Sequence, residues 1–240
     1  GFALILKNKN YLFVDGRYTL QAHIQSGKFF KILTIPNKMP NDVLKNKKIL
    51  IGFDPNLFTD KSLSIFFGKN KFKFKPIFQN LVDKIWKRKI IKNKNNFYFM
   101  PKQSVGENYK LKINKIVSYI KKTGADFQFI TASENNAWLL NIRGKDVKYA
   151  PIPYCYSLID RNKNIQFFCD LNKIPFYLKK HLSGINFLRI ESIDEILSHI
   201  KNKKFLIDRN TCSFYFENII LQNNKILNFN DLIYNLKAIK

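Results

Sequence analysis

Residues 138–144 have the sequence Trp-Leu-Leu-Asn-Ile-Arg-Gly, and this stretch is the most informative one in the chain. Its apolar residues predict the end of a short helix, and Arg143 and Gly144 then begin a loop. Because Trp138 lies beside two leucines on an apolar face, we predict that it anchors the helix in a core.

Two further blocks precede this stretch. Residues 13–22 have the sequence Phe-Val-Asp-Gly-Arg-Tyr-Thr-Leu-Gln-Ala, and residues 80–86 have the sequence Asn-Leu-Val-Asp-Lys-Ile-Trp. In this order the three blocks resemble the non-catalytic N-terminal half of the three-domain cytosolic Xaa-Pro aminopeptidases (aminopeptidase P). The resemblance extends over nearly the whole chain, from Gly1 to Lys240.

This resemblance implies an α/β fold with two ribonuclease-H-like (creatinase N-terminal) domains, each a mixed sheet flanked by helices. Residues 1–103 would be the remainder of the first domain, truncated at its N-terminus, plus a linker over residues 88–103. Residues 104–240 would be the second domain. The metal-binding "pita-bread" catalytic domain of the family would be absent from these 240 residues.

The resemblance also implies a function. Enzymes of this family release an N-terminal residue that precedes proline, and they use two metal ions, usually manganese. The expected partners are therefore peptides with proline in the second position and the missing catalytic domain, while a homodimer of the complete enzyme stays open. We expect the chain to be a cytoplasmic, non-catalytic region that shapes and restricts access to the active-site cleft.

The residues themselves predict no metal site and no catalytic residue. None of the three histidines has the H-E-x-x-H spacing or a related ligand spacing. Asp160 and Asp170 lie ten residues apart, which superficially resembles a two-aspartate metal motif. The residues around them predict a hairpin, in which Asp160 opens the turn and Asp170 closes the second strand.

Arg143 is the candidate site residue, with a role in binding substrate. The resemblance places this part of the second domain at the active-site cleft, where Arg143 would contact substrate or help to close the cleft. The alternative is that Arg143 ties its own loop down through backbone carbonyls or through a carboxylate such as Asp146.

The other two blocks predict structural roles. Asp15 is expected to cap a helix and to pair with Arg17, and Gly16 is expected in a tight turn that a side chain would obstruct. Trp86 is expected to pack against its domain, with contact to a partner subunit as the alternative.

The formal net charge of +25 raises the question of nucleic acid binding. Of the 42 basic residues 6 are Arg and 36 are Lys, and Arg is the better ligand for phosphate and base edges. The lysines are spread along the chain, and the densest cluster, residues 87–89, is short. These features favour a solvated basic surface over a specific nucleic acid site.

The composition also indicates whether the chain spans a membrane and what role its cysteines have. No run of 18 apolar residues occurs, so we expect no membrane-spanning helix and no membrane partner. The three cysteines lack C-x-x-C spacing, which favours small core residues with reduced thiols.

Two alternatives to the peptidase hypothesis remain: a stand-alone module of the same fold that binds a peptide or protein, and a basic nucleic acid binder.

Overall fold

Strands and helices alternate along the chain, as the alternation of its apolar patterns predicts. The computed structural model describes residues 1–44, 48–68, 72–87, 94–229 and 231–238. The chain divides into two compact units, Gly1–Gln79 and Asn80–Lys240, and each is considered by itself.

The first unit contains a mixed sheet and a separate strand pair. Its elements are β1 (Phe2–Ile5), β2 (Asn10–Asp15), α1 (Thr19–Ser26), β3 (Lys31–Ile35), α2 (Pro40–Val43), β4 (Leu50–Phe53), α3 (Asp60–Phe67) and β5 (Lys73–Pro76). Strand β1 pairs antiparallel with β2, which pairs parallel with β3, and β4 pairs parallel with β5. Aromatic side chains supply much of the core, and Phe13 is fully buried with Phe2 stacked on its ring.

The turn after β2 was predicted correctly at two of its three positions. The Asp15 carboxylate accepts hydrogen bonds from the backbone N–H of Arg17 at 3.0 Å and from its Nε at 2.8 Å. The side-chain bond from Arg17 lowers the pKa of the Asp15 carboxyl. The prediction for Gly16 is wrong, because the nearest atom to a Cβ built there, Thr34 Cγ2, lies at an ordinary 3.7 Å.

The second unit is larger. Its strands are β6 (Tyr98–Phe99), β7 (Phe127–Ile130), β8 (Ile142–Arg143), β9 (Cys155–Asp160), β10 (Ile165–Cys169), β11 (Ile185–Arg189), β12 (Lys204–Ile207) and β13 (Lys225–Ile226). Its helices are α4 (Leu81–Ile85), α5 (Tyr109–Lys122), α6 (Ser133–Leu139), α7 (Phe176–His181), α8 (Ile193–His199), α9 (Phe214–Asn223) and α10 (Leu232–Ala238).

Six of these strands form one mixed sheet in the order β11-β10-β9-β7-β12-β13. Strand β9 is antiparallel to both of its neighbours, and the remaining pairs are parallel. Phe167 and Phe168 are both fully buried, but they belong to different cores because successive side chains of a strand point to opposite faces. Helices α5, α6, α7 and α10 contribute to one core, and α8 and α9 to the other, so helices flank the sheet as predicted.

Residues 94–103 were expected to lie in the connection between domains, but they contribute to the second unit. Phe97 is fully buried in the core that α5 helps to form, and its backbone N–H donates to the Lys173 carbonyl at 2.8 Å. Strand β6 then pairs antiparallel with β8. The buried Phe97 ring fixes this segment on the second unit, although the basic, Asn-rich composition of the segment suggests a linker. The rest of the expected linker, residues 88–93, lies outside the described residues.

The three cysteines are core residues, as predicted. Cys155 and Cys169 lie directly opposite each other on β9 and β10, and both are fully buried free thiols, as is Cys212. Burial raises the pKa of the Cys169 thiol to about 12.

Candidate functional site

The 138–144 block turns the chain from helix α6 into strand β8. Leu139, Leu140 and Ile142 are fully buried, and Trp138 is half-buried and packs on the same core, which confirms its predicted anchoring role. Asn141 has a φ of 55°, in the left-handed region that asparagine tolerates better than most residues. The block therefore packs three apolar side chains on both sides of one sharp turn.

A buried lysine holds this turn from helix α5. Lys112 is only 4% exposed, and its Nζ donates to the Trp138 carbonyl at 2.8 Å and to Asn141 Oδ1 at 2.6 Å. The same Nζ lies 4.0 Å from the centre of the Trp138 ring, within cation–π range. Burial lowers the pKa of the Lys112 ammonium to about 8, although Glu107 opposes the shift.

Asn141 completes the clamp between α5 and the turn. Its Nδ2 donates to the Glu107 carbonyl at 2.9 Å, while its own backbone carbonyl accepts from the Met100 N–H at 2.8 Å. One asparagine thus connects helix α5, strand β8 and the residue that follows β6, so the backbone around Arg143 is fixed from three sides.

Arg143 lies on β8, opposite Tyr98 of β6, and is half-buried. Its Nη1 donates to the Ile142 carbonyl at 2.8 Å and to the Ala137 carbonyl at 3.3 Å. Nε and Nη2 have no partner within the part of the chain that the structure describes. One edge of the guanidinium therefore ties down the turn, which is the alternative role, and the other edge retains donors for a ligand.

Asp146 does not pair with Arg143. Its carboxylate forms a buried ion pair with Lys173 and accepts from the Tyr154 N–H at 2.7 Å. Gly144 explains the shape of the same loop, because a Cβ built there would lie 2.7 Å from Pro153 Cα. The backbone of residue 153 thus approaches the chain too closely for any side chain at position 144.

Asp160 and Asp170 have the structural roles that the hairpin pattern predicts. Asp160 Oδ1 accepts from the N–H groups of Asn162 and Asn164 at 2.8 Å each, which closes the turn between β9 and β10. Asp170 follows the far end of β10 and accepts from the Asn172 N–H at 3.0 Å. The two carboxylates are a strand length apart, so they cannot share a metal ion.

Elsewhere among the described residues, no three His, Cys, Asp or Glu side chains lie close enough to hold a metal ion. No helix in those parts of the chain is long and apolar enough to cross a membrane.

The 80–86 block forms the short helix α4, and its apolar side chains are largely exposed. Trp86 is 55% exposed, and Leu81, Val82 and Ile85 are exposed as well. Trp86 is therefore not a core residue of its unit, and its expected packing against the domain stays a prediction. Of the basic cluster that follows, positions 88 and 89 lie outside the described residues.

Lys112 is the residue of this site that the sequence analysis missed. The apolar neighbour Leu111 is 54% exposed, whereas Lys112 is 4% exposed and takes the inward position. The buried positions of α5 are Tyr109, Lys112, Ile113, Ile116, Val117 and Ile120. That spacing is the regular three-and-four repeat of a helix face, so periodicity places a lysine inside.

Comparisons with known proteins place this chain in a family. A family profile described as Creatinase/Prolidase N-terminal domain matches residues 87–240. Xaa-Pro aminopeptidase 1 of Dictyostelium discoideum is 28% identical over an alignment of 272 positions, which covers 100% of this chain and 41% of that protein. A probable Xaa-Pro aminopeptidase P of Laccaria bicolor is 28% identical, with 88% of this chain and 34% of that protein covered.

A solved structure shows the same fold. The crystal structure of an X-prolyl aminopeptidase from Caenorhabditis elegans, described as a cytosolic enzyme with a di-nuclear active site, matches with a TM-score of 0.82 at 22% identity. The match covers 98% of this chain and 41% of that chain. The chain thus spans well under half the length of these three proteins.

Proposed function

Given that this chain belongs to the creatinase/prolidase N-terminal domain family, we propose that it is the non-catalytic N-terminal region of a cytoplasmic Xaa-Pro aminopeptidase. The proposal rests on how much of this chain, and how little of each relative, the matches cover. All of this chain aligns with 41% of a Xaa-Pro aminopeptidase, and 98% of it matches the fold of 41% of another. We further propose that the units Gly1–Gln79 and Asn80–Lys240, which replace the expected boundary at residue 103, correspond to the two creatinase-like domains of such an enzyme.

The proposed role is to shape the entrance to the active-site cleft of the complete enzyme. Peptides whose second residue is proline would enter, whereas folded proteins would be excluded by shape. Specificity of this kind depends on what is rejected as well as on what is bound. The clamped turn at 138–144 supports the proposal, because a cleft wall must hold its position when a substrate binds.

Arg143 is the residue that we propose to contact substrate. Its Nη1 is used by two carbonyls of its own turn, which fixes the direction of the guanidinium. Its remaining donors are suited to a peptide carbonyl or a carboxylate. A fixed arginine loses less freedom on binding than a mobile one, which favours recognition.

The metal chemistry of the proposed enzyme belongs to another part of the polypeptide. Within the described residues the acidic and imidazole side chains do not converge, so they do not fit a dinuclear centre. Two manganese or similar divalent ions would be held by the catalytic domain, where a metal-activated water attacks the peptide bond.

The test compares the 240-residue chain with the longer polypeptide that would contain it. Both are assayed for release of arginine from Arg-Pro-Pro, with manganese and with a chelator. We expect metal-dependent release by the longer polypeptide and none by the chain alone. Release by the chain alone would show that its residues do hold a catalytic centre. An inactive longer polypeptide would favour a stand-alone peptide-binding or protein-binding module.

Restricted access is tested with a second pair of substrates. The longer polypeptide is given a short peptide and a folded protein that begin with the same Xaa-Pro sequence. We expect cleavage of the peptide alone. Equal cleavage of both substrates would contradict the proposed role of this region.

A further inference from the structure

A polar pocket of about 510 Å³ lies at one edge of the large sheet of the second unit. It is lined by residues 169–173, by Arg189 and by Glu191. Strands β10 and β11 are parallel, with Cys169 and Arg189 in register at their carboxyl ends. The loops that follow the two strands therefore leave the sheet side by side. Crevices beyond the carboxyl ends of parallel strands are where open α/β sheets bind ligands, and this volume is of ligand-binding size.

Arg189 is used differently from the other arginines of the described residues. Three of the other four pair with carboxylates, and Arg143 donates to carbonyls; the pairs are Arg17 with Asp15, Arg161 with Asp126 and Arg209 with Glu217. The Arg189 guanidinium has no partner among the residues that the structure describes. A rarely used residue type that stabilises no local contact is a candidate for ligand recognition.

The position of Arg189 on its strand explains why it faces the pocket. Ile185, Phe187 and Arg189 alternate along β11 and therefore project from the same face of the sheet. Ile185 and Phe187 pack on the core there, and the Phe187 ring meets the Phe167 ring edge-on at 5.7 Å. The row thus changes from apolar to cationic where the core ends and the pocket begins.

Negative charge lines the same pocket. Glu191 is exposed, and within the described parts of the chain its carboxylate has no partner. Asp170 is held in place by hydrogen bonds from the backbone and the side chain of Asn172, at 3.0 and 3.1 Å. Lys173 is neutralised by its buried ion pair with Asp146, so the pocket presents one available guanidinium and two carboxylates.

We propose that this pocket binds a small zwitterion of the free α-amino acid class, with Arg189 as the ligand of its carboxylate and Glu191 and Asp170 as the ligands of its ammonium group. The planar fork of a guanidinium matches a carboxylate with two parallel hydrogen bonds, and a carboxylate accepts the N–H groups of an ammonium. The exposed Arg189 and Glu191 are solvated in the free protein. A ligand that carries both opposite charges satisfies both residues at once, whereas a simple anion or cation satisfies only one.

The test uses L-leucine and two analogues that each lack one of its charges. 4-Methylpentanoate has the carboxylate alone, and 3-methylbutylamine has the ammonium alone. Binding to the 240-residue chain is measured by isothermal titration calorimetry up to about 10 mM ligand, which detects a dissociation constant of about 1 mM. We expect L-leucine to bind and each analogue to bind at least about tenfold more weakly, because one set of charge-assisted hydrogen bonds is lost.

Two arginine variants decide whether the pocket is responsible. Arg189→Ala is expected to weaken L-leucine binding at least about tenfold. Arg161→Ala is the matched control, since it removes the same charge from an exposed arginine at the opposite end of β10. Circular dichroism of both variants verifies folding, which an exposed position should leave unchanged.

Three results would overturn the proposal. They are the absence of L-leucine binding, equal binding of either single-charge analogue, and an equal effect of the two arginine variants. The last result would show attraction by overall charge, since the protein carries a net charge of +25.

Discussion

Lys112 provides the sharpest test of the structure, because it is a basic group inside an apolar core. Its ammonium is held by the Trp138 carbonyl and Asn141 Oδ1, and burial lowers its pKa from 10.5 to about 8. In the unfolded chain the same group keeps its proton up to about pH 10.5. The two states therefore bind different numbers of protons over a defined range of pH.

The sign of the effect follows from this difference. Between the two pKa values the unfolded state binds more protons, so the free energy of unfolding rises with pH, by at most about 1.4 kcal/mol per pH unit. Below about pH 8 both states are protonated and this contribution is flat. From about pH 7 to about pH 9.5, Lys112 should add about 2 kcal/mol to the free energy of unfolding.

The variant Lys112→Met keeps an unbranched side chain but removes the titrating group. It also leaves two buried acceptors without their donor, at a cost of about 1–3 kcal/mol each. We expect the wild-type protein to become more stable relative to this variant as pH rises, by about 2 kcal/mol over the same range. Urea unfolding followed by Trp138 fluorescence, in a Trp86→Phe background, measures this difference in the second unit.

Lys115→Met is the matched control for this experiment. Lys115 lies on the same helix, but it is about half exposed and pairs with Glu107 at 2.7 Å. Its removal should leave the pH dependence of unfolding as in the wild type. If the stability gap between wild type and Lys112→Met is the same at both pH values, Lys112 is not desolvated in the folded protein, and the description of the clamp is wrong.

Three further predictions concern the same unit. Gly144→Ala should destabilise the protein by about 1–3 kcal/mol in urea unfolding, because its Cβ would lie 2.7 Å from Pro153 Cα. Gly106→Ala, with no atom within 4 Å of its Cβ, should have little effect. The three cysteine thiols are buried, so a thiol reagent such as DTNB should react with them only at the rate of unfolding, and fast reaction in native buffer would contradict their burial. In the longer polypeptide, Arg143→Lys should raise KM for Arg-Pro-Pro at least about tenfold if Arg143 binds substrate, since lysine lacks the guanidinium fork. A loss of stability with KM unchanged would assign Arg143 to its loop alone.

The fold was predictable to the extent that local patterns determine it. The hairpin of residues 155–170 follows from two β-rich runs around a polar turn, and the structure contains it with Asp160 closing the turn. The exposed Trp86 was not predictable in this way, because an apolar residue on a short helix carries no periodic signal that distinguishes core from surface. Phe97 shows the opposite case, since a single aromatic residue in a basic segment reaches the core.

Lys112 was missed because residue type was given more weight than position. Lysine is almost never buried unless its charge is paired, so composition places it outside, whereas the helical repeat places it inside. The helical repeat determines the position because the buried ammonium of Lys112 finds two acceptors, the Trp138 carbonyl and Asn141 Oδ1. Those acceptors are 26 and 29 residues away in sequence, so no local pattern reveals them.

The most specific signal in this sequence is therefore mainly a signal for folding. In the 138–144 block, Leu139, Leu140 and Ile142 fill the core, and Asn141 supports the left-handed turn. Gly144 then admits the close approach of Pro153. Each of these residue types is required by a contact within the unit, so the block identifies the fold without specifying a reaction. Arg143 alone combines a fixed position with unused donors, and for that reason it is where evidence for function in this block should be sought first.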